Sequence, residues 1–226
     1  MLSASLENYL KHIYYLNEDN KVTTGDLAKL LNVSPASATK MVKKLNELGF
    51  VAYNSHHGFE LTETGLETAL NVLRKHRLLE LFLVEKLNYK WDEVHEEACV
   101  LEHHISDKFA DRLFDLLGQP KFDPHGDPIP GKNGEMPSKS SIPMSVIPEN
   151  SKVKVSQVSD ENKEVLIFLD ELNIKPGVEF HFKEQQSFGG SYTINLNGNV
   201  LMIGPEAANK IYVKVLEEFD KTLDLA

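Results

Sequence analysis

Residues 23–49 read TTGDLAKLLNVSPASATKMVKKLNELG and carry the clearest structural pattern in the chain. Two helical segments are joined there by a tight turn at NVSP. The boundary signals are Thr23 or Thr24 as the first N-cap, Ser34 as the second N-cap, Pro35 at a first helical position and Gly49 as a C-terminal glycine. Helix, tight turn and helix in this order predict a helix-turn-helix.

The flanking segments extend this motif on both sides. Residues 4–16 place leucine and isoleucine at spacings of three and four, which predicts a preceding amphipathic helix. Residues 50–62, FVAYNSHHGFELT, read as two short strands around a turn at His57-Gly58. The complete unit is therefore predicted to be a winged helix-turn-helix.

The second helix of the motif has the side chains that a DNA recognition helix needs. Small polar and basic residues at its first turn would reach base edges, and lysines along one side would contact phosphates. The candidate DNA-binding residues are Ser34, Ala36, Ser37, Lys40, Lys43 and Lys44. The alternative is an ordinary solvated helix that carries three lysines.

The charge distribution bears on that choice. A formal net charge of −10 for the whole chain argues by itself against nucleic acid as a partner. Residues 1–58, however, carry six lysines against five acidic residues, a net of +1, so the acidity lies in residues 59–226. The shift, together with the helix and the ribbon, favours double-stranded DNA as a partner.

Composition also indicates the compartment. No apolar run approaches the roughly 20 residues that a membrane-spanning helix needs, and the N-terminus lacks the pattern of a signal peptide. The only cysteine, Cys99, cannot form an internal disulfide. We therefore expect a cytoplasmic protein with no membrane association.

The rest of the chain divides into a helical and a mixed part. One long helix is predicted over residues 62–87 and a second over 92–118, followed by an irregular linker at 119–151 that holds most of the ten prolines. Residues 152–226 contain segments that alternate like strands, with a short helix between the first two, and they predict a small β-barrel. The strand-like segments are KVKVSQV, VEFHFKEQ, SYTINLN and NVLMIG, with turns at Pro176-Gly177, Gly189-Gly190 and Asn197-Gly198.

Residues 93–106, EVHEEACVLEHHIS, concentrate groups that bind metals. At 100° per residue on a helix, the side chains of His95, Cys99, Glu102 and His103 fall within about 100° of arc. Imidazole, thiolate and carboxylate on one stripe can enclose a divalent transition metal. Taken singly, each of these residues is better explained by a structural role, and it is their position on one stripe that favours a metal site.

Two further pairs strengthen the metal interpretation. His76 and Glu80 are four residues apart on the preceding helix, a spacing that brings two ligands together. Asp123 and His125 flank a proline in the linker, which places two more ligand types in a stiff turn. These groups are too many for one four-ligand metal, so two sites are the natural count.

These residues carry a family resemblance. The chain resembles the diphtheria toxin repressor and manganese transport regulator family of metal-dependent transcriptional repressors, in the long form with a C-terminal SH3-like (FeoA-like) domain. The matching motifs are ENYLKHIYYL, VSPASATKMVKKL, LTETG, RKHRLLE, VHEEACVLEHHIS, DPHGDPIP and the NIKPG turn.

The resemblance implies a mainly α-helical fold with small β parts. It implies a winged helix-turn-helix DNA-binding domain over residues 1–72, a helical dimerisation and metal-binding domain with the linker over 73–140, and the SH3-like β-barrel over 141–226. It also implies a homodimer that binds a palindromic operator when metal is bound and represses metal-uptake genes, and it implies no enzymatic activity.

The resemblance further implies about two metal ions per subunit. The regulatory site would use Cys99, Glu102 and His103 with the residue at position 8, Asn8. The ancillary site would use His76 and Glu80 with His95, or with Asp123 and His125, and Asp160 is the candidate to complete it.

Two positions depart from the family pattern. Asn8 stands where iron-type members have methionine and manganese-type members have aspartate, and an amide oxygen is a weaker ligand. Lys11 stands where some manganese regulators have a glutamate for a second metal. Because the Cys99 thiolate also favours softer metals than Mn²⁺, we expect Fe²⁺ in preference to Mn²⁺.

Two other functions fit parts of the pattern. A metalloenzyme with an accessory winged helix would use the same ligand types, but the chain lacks HExxH or another hydrolytic signature. A metal-independent winged-helix regulator would use its histidines structurally and would not respond to a chelator.

Overall fold

The computed structural model describes residues 2–17, 23–54, 58–138 and 140–218. Its helices are α1 (Ala4–Asn17), α2 (Thr24–Leu30), α3 (Pro35–Glu47), α4 (Glu63–Leu87), α5 (Val94–Leu101), α6 (Asp107–Leu116), α7 (Lys163–Glu171) and α8 (Pro205–Ala208). Its strands are β1 (Val51–Asn54), β2 (Gly58–Leu61), β3 (Ile142–Pro143), β4 (Ser151–Val158), β5 (Glu179–Gln185), β6 (Tyr192–Leu196), β7 (Asn199–Ile203) and β8 (Ile211–Glu218).

The chain forms two compact units. The first contains the described residues of Met1–Leu79 with Glu97–Pro120 and Ile129–Met136. The second contains Glu80–Glu96, Lys121–Pro128 and the described residues of Pro137–Ala226. Each unit joins segments that are distant in sequence, and the partition into three consecutive domains stays a prediction.

The helix-turn-helix forms with the caps that the sequence predicts. The Thr23 side chain accepts a hydrogen bond from the Asp26 amide, and the Asp26 carboxylate accepts one from the Thr23 amide, which completes a capping box. The Ser34 hydroxyl accepts from the Ser37 amide at 3.2 Å, and Pro35 begins α3. Gly49 follows α3 with φ +80°, a conformation that favours glycine.

The ribbon and the helices share one apolar core. Strands β1 and β2 pair antiparallel with Val51 opposite Leu61, as predicted, while His57 of the predicted turn lies outside the described residues. Helices α1 to α3 contribute fully buried side chains to the core, among them Leu10, Ile13, Leu27, Val42 and Leu45. Burying one face of α3 in this way leaves its opposite face exposed.

The single helix predicted over residues 92–118 is wrong. The structure has α5 and α6 there, with turns between them. Ser106 causes the break: its backbone is extended, with φ −78° and ψ 160°, and its hydroxyl accepts from the Phe109 amide as the N-cap of α6. Glu102 and His103 consequently lie in the turn that follows α5, and the helical-stripe argument applies only up to Leu101.

The second unit is built on an antiparallel sheet with the strand order β3-β8-β4-β5-β6-β7. The sequence interpretation omitted β8, which is nevertheless central and pairs with β4 along its length. Buried side chains from both strands, including Val153, Val155 and Val213, pack with α7 in the core. In the part of the chain that the structure describes, no helix is both long and apolar enough to cross a bilayer.

Candidate metal centre

Ligand-type side chains form two clusters, one in each unit. We call the first the Glu102 cluster; it comprises Glu7, Asn8, Lys11, His76, Cys99, Glu102 and His103. We call the second the Glu80 cluster; it comprises Glu80, His95, Asp123, His125 and Asp160.

Glu102 is the centre of the first cluster. It is fully buried in the turn after α5, and its amide donates to the Ala98 carbonyl at 2.9 Å. The Lys11 ammonium donates to both carboxylate oxygens, at 2.6 Å to Oε1 and 2.8 Å to Oε2. Nδ1 of His76 lies 2.6 Å from Oε2. The sequence interpretation did not anticipate this Lys11 contact.

The environment keeps the Glu102 carboxylate ionised. Burial pushes the pKa of Glu102 upward, but the hydrogen bond and charge of His76 and the charge of Lys11 outweigh it, so the net shift is downward. An ionised, buried carboxylate among cationic partners is the state in which a carboxylate can also ligate a cation.

His103 connects this carboxylate to α1. Its Nε2 lies 3.0 Å from Oδ1 of Asn8 and 3.2 Å from Oε1 of Glu102, so three of the four predicted regulatory ligands meet. Its Nδ1 lies 2.6 Å from Oε2 of Glu7. Sequence reasoning missed Glu7, although its position next to Asn8 on α1 was a usable signal.

Cys99 is half-buried on α5, one turn before Glu102 and His103. Among the described residues, a ring nitrogen of His76 lies within 4.8 Å of its sulfur, and the groups at this spacing include neither Glu102 nor His103. His76 thus contacts the Glu102 cluster, a contact that the sequence interpretation did not anticipate. Its ancillary role stays a prediction.

In the Glu80 cluster, the side chains converge at ligand distances. Glu80, Asp123 and His125 are all buried, and each offers an atom within 4.8 Å of the others. His95 extends the cluster, since its Nδ1 lies 3.3 Å from Oε1 of Glu80 and 3.1 Å from Oδ2 of Asp160. The structure therefore brings together five of the predicted ancillary residues.

The hydrogen bonds of His125 fix which nitrogen faces the cluster. Nε2 lies 2.8 Å from the Trp91 carbonyl oxygen, which can only accept, so the proton is on Nε2. Nδ1 faces the cluster: it is buried, makes no hydrogen bond among the described residues and lies 3.9 Å from Oε2 of Glu80, and in the neutral ring it carries the lone pair. A backbone carbonyl that orients the second ring nitrogen is the usual support of a metal-bound histidine.

The Asp123–His125 loop is held rigidly. Oδ1 of Asp123 accepts from the amides of His125 at 2.8 Å and Asp127 at 2.9 Å, which closes a tight turn. The His125 carbonyl accepts from the Val158 amide of β4 at 2.8 Å. Gly126 lies against β4 so closely that an added Cβ would be 2.0 Å from the Ser156 carbonyl oxygen.

Acidic side chains outnumber histidines in the Glu80 cluster. Burial acts to raise the pKa of Asp160, but the hydrogen bond from His95 together with the charges of His95 and His125 outweighs it, and the net shift is downward. Three carboxylates against two histidines leave an acidic centre with oxygen and nitrogen donors. This donor set suits a divalent transition metal, and the lone pair of His125 at its centre fits such an ion.

The predicted DNA-binding residues all lie on the exposed surface at or along α3. Ser34 and Ser37 hydrogen-bond each other at 2.9 Å and cap the helix, so these hydroxyls already have a structural role. Lys40, Lys43 and Lys44 are exposed on the helix. The lysines are therefore the side chains that α3 can offer to phosphates.

Three family models match consecutive parts of the chain. Residues 1–59 match the N-terminal DNA-binding domain of iron-dependent repressors, residues 62–131 match their metal-binding and dimerisation domain, and residues 142–215 match the FeoA domain.

Individual relatives that match this chain are also transcription regulators. An uncharacterised HTH-type transcriptional regulator of Methanocaldococcus jannaschii is 46% identical over 114 residues, 50% of this chain and 91% of the relative. The iron-dependent repressor IdeR of Mycobacterium tuberculosis is 37% identical over 131 residues, 58% of this chain and 57% of the relative. The solved structure of a manganese-dependent transcriptional repressor in complex with manganese is 36% identical, with a TM-score of 0.86 over 93% of this chain and 99% of that one.

Proposed function

Because this chain belongs to the iron-dependent repressor family, we propose that it is a transcription regulator, not an enzyme, that binds operator DNA when a divalent metal is bound. By analogy with the repressors it resembles, this protein lies in the cytoplasm and represses genes for metal uptake.

One observation carries the metal part of this proposal. The His125 imidazole is buried, donates through Nε2 to the Trp91 carbonyl and presents Nδ1, which makes no hydrogen bond among the described residues, to the buried Glu80 carboxylate. A buried polar atom without a hydrogen bond costs about 1–3 kcal/mol, so such an atom needs an explanation. Metal ligation supplies one.

We assign about two ions to each subunit. The Glu80 cluster would hold one through Glu80, Asp123 and His125, with His95 and Asp160 at its edge. The Glu102 cluster would hold the regulatory ion through Cys99, Glu102 and His103, with the Asn8 amide oxygen as the weakest ligand. The bound ion would supply a positive charge that draws α1 and the turn after α5 together.

The DNA part of the proposal rests on α3 in a homodimer. Two copies of α3 would enter successive major grooves of a palindromic operator, about 34 Å apart or a multiple of it. Lys40, Lys43 and Lys44 would contact phosphates, while Ala36 permits close approach of the backbone at the first turn. Ser34 and Ser37 would position that turn and contact DNA from it.

We favour Fe²⁺ over Mn²⁺ as the physiological metal. The half-buried Cys99 supports this choice, since thiolate prefers metals softer than Mn²⁺. The oxygen and nitrogen donors of the Glu80 cluster suit either ion, and the relatives include an iron-dependent and a manganese-dependent repressor.

An operator-binding comparison across metals tests the proposal. A duplex is first selected from genomic fragments with immobilised protein and Mn²⁺, and its affinity is then measured anaerobically with Fe²⁺, Mn²⁺, Zn²⁺, Co²⁺ or a chelator. We expect Fe²⁺ to activate binding at a lower free concentration than Mn²⁺, and Co²⁺ and Zn²⁺, which bind such sites more tightly in general, to activate it as well.

Two matched variants identify the site. His103→Ala should abolish the metal response, while His104→Ala, an exposed histidine next to it in sequence, should leave the response unchanged. Equal loss in both variants would remove the regulatory assignment from the Glu102 cluster.

A further inference from the structure

Lys11 is the one buried lysine among the residues that the structure describes. Only 3% of it is exposed, although it lies in the middle of α1, where the neighbouring polar residues Glu7, Asn8 and His12 are partly exposed. Lysines normally keep the ammonium in water, because removing it from water costs several kcal/mol. Its burial therefore calls for a specific role.

The role follows from the contacts of Glu102. The Lys11 ammonium reaches both carboxylate oxygens, and each oxygen has one more nitrogen nearby, His103 Nε2 at 3.2 Å and His76 Nδ1 at 2.6 Å. Both oxygens of this fully buried carboxylate are thus occupied. A divalent cation that uses Glu102 as a ligand must displace one of these contacts, and the ammonium is the one that carries a competing full positive charge.

We propose that Lys11 sets the metal sensitivity of the regulatory site by acting as a tethered cation: its ammonium competes with the metal for Glu102 and so raises the metal concentration at which the site fills. The inference rests on the proposed function, because it assumes that Glu102 binds the regulatory metal. In the metal-free chain the same ammonium neutralises Glu102 and connects α1 to the turn after α5.

The charge argument gives the direction of the effect. An ammonium a few ångströms from a divalent ion repels it, and removing the ammonium also leaves the buried carboxylate of the metal-free chain without its neutralising partner. Both consequences favour metal binding. Replacing Lys11 by an uncharged residue should therefore tighten binding at this site by about tenfold or more.

The test measures Mn²⁺ affinity by competition with a chelating fluorophore. All proteins carry Glu80→Gln and Asp123→Asn, which keep side-chain shape and remove two carboxylates of the other cluster. In that background Lys11→Met should bind Mn²⁺ at least about tenfold tighter than the parent. Lys11→Arg, which keeps the charge, should stay near the parent, and so should Lys29→Met, which removes an exposed lysine. Lys11→Met that folds and binds no tighter overturns the inference.

Folding is followed in parallel, because the buried Glu102 carboxylate of the Lys11→Met chain has lost its ammonium partner and keeps only the histidines beside it. If the variant is unfolded without metal, saturating Mn²⁺ should restore its cooperative melting, since the ion then replaces the ammonium; failure to restore it overturns the inference. Absence of Mn²⁺ binding in the parent and in every Lys11 variant would instead refute the proposed function at this site.

Discussion

Gly126→Ala perturbs the Glu80 cluster without touching a ligand. Gly126 has φ +88°, where an alanine costs about 1–2 kcal/mol. Its Cβ would lie 2.0 Å from the Ser156 carbonyl oxygen and 2.8 Å from Cα of Gln157, and these backbone atoms cannot rotate away. Moving the loop breaks the hydrogen bond between the Val158 amide and the His125 carbonyl, which lowers the free energy of unfolding by about 1 kcal/mol more. We expect Gly126→Ala to lower the free energy of unfolding by about 2–4 kcal/mol in total.

Gly177→Ala is the matched control. Gly177 lies in the same unit with φ +95°, but nothing lies within 4 Å of its added Cβ, so this variant reports the backbone strain alone. Urea unfolding can be followed by the fluorescence of Trp91, the only tryptophan, whose ring stacks on His125 at 5.7 Å. We expect Gly177→Ala to lower the free energy of unfolding by only about 1–2 kcal/mol.

Metal affinity separates the two variants further. In a Cys99→Ala, His103→Ala background, Gly126→Ala should weaken Mn²⁺ binding by about 10–100-fold, because the loop carries Asp123 and His125, while Gly177→Ala should not change it. If both glycine variants unfold alike and bind Mn²⁺ like the parent, the loop does not set the ligand geometry and this reasoning is refuted.

Three other outcomes follow from the first unit. Lys40→Ala should weaken operator binding at every salt concentration and lower the salt slope by about one, with unchanged metal affinity; an unchanged slope would show that it contacts no phosphate. In chelator, His76→Ala should lose about 2 kcal/mol of unfolding free energy, because His76 hydrogen-bonds the buried Glu102, and a loss no larger than that of His104→Ala would contradict this. The hydrogen bond from Asn71 and the contact with Lys75 lower the pKa of Asp107, so the ionised carboxylate stabilises the fold above the pKa of the unfolded chain, and this stabilisation is lost as the pH falls. The difference in unfolding free energy between the parent and Asp107→Asn should therefore shrink below about pH 4. A difference that stays constant with pH would refute this prediction.

Local signals predicted the N-terminal motif. Thr23, Ser34 and Gly49 act at helix ends through contacts within a few residues, so the sequence around each of them contains the necessary information. The break before α6 depends on the same kind of signal, since Ser106 is a cap. The apolar period continues across Ser106, so periodicity alone predicts one continuous helix there.

The clusters depend on contacts that sequence spacing does not encode. Asp123 and His125 could be recognised as ligands from their type and the stiff turn around them. The tautomer of His125 could not, because it is set by the carbonyl of Trp91, 34 residues earlier. Likewise the pairing of Lys11 with Glu102 spans 91 residues, and only the fold reveals that the lysine is buried.

The most direct test of the account compares operator affinity with and without metal. Anisotropy titrations of the selected duplex would be made with the parent protein in chelator and with saturating Fe²⁺ or Mn²⁺, at one salt concentration. We predict that metal tightens binding by about 5–150-fold, corresponding to a coupling of about 1–3 kcal/mol, and that the duplex tightens metal binding by the same factor. Equal operator affinity in chelator and in saturating metal would contradict it.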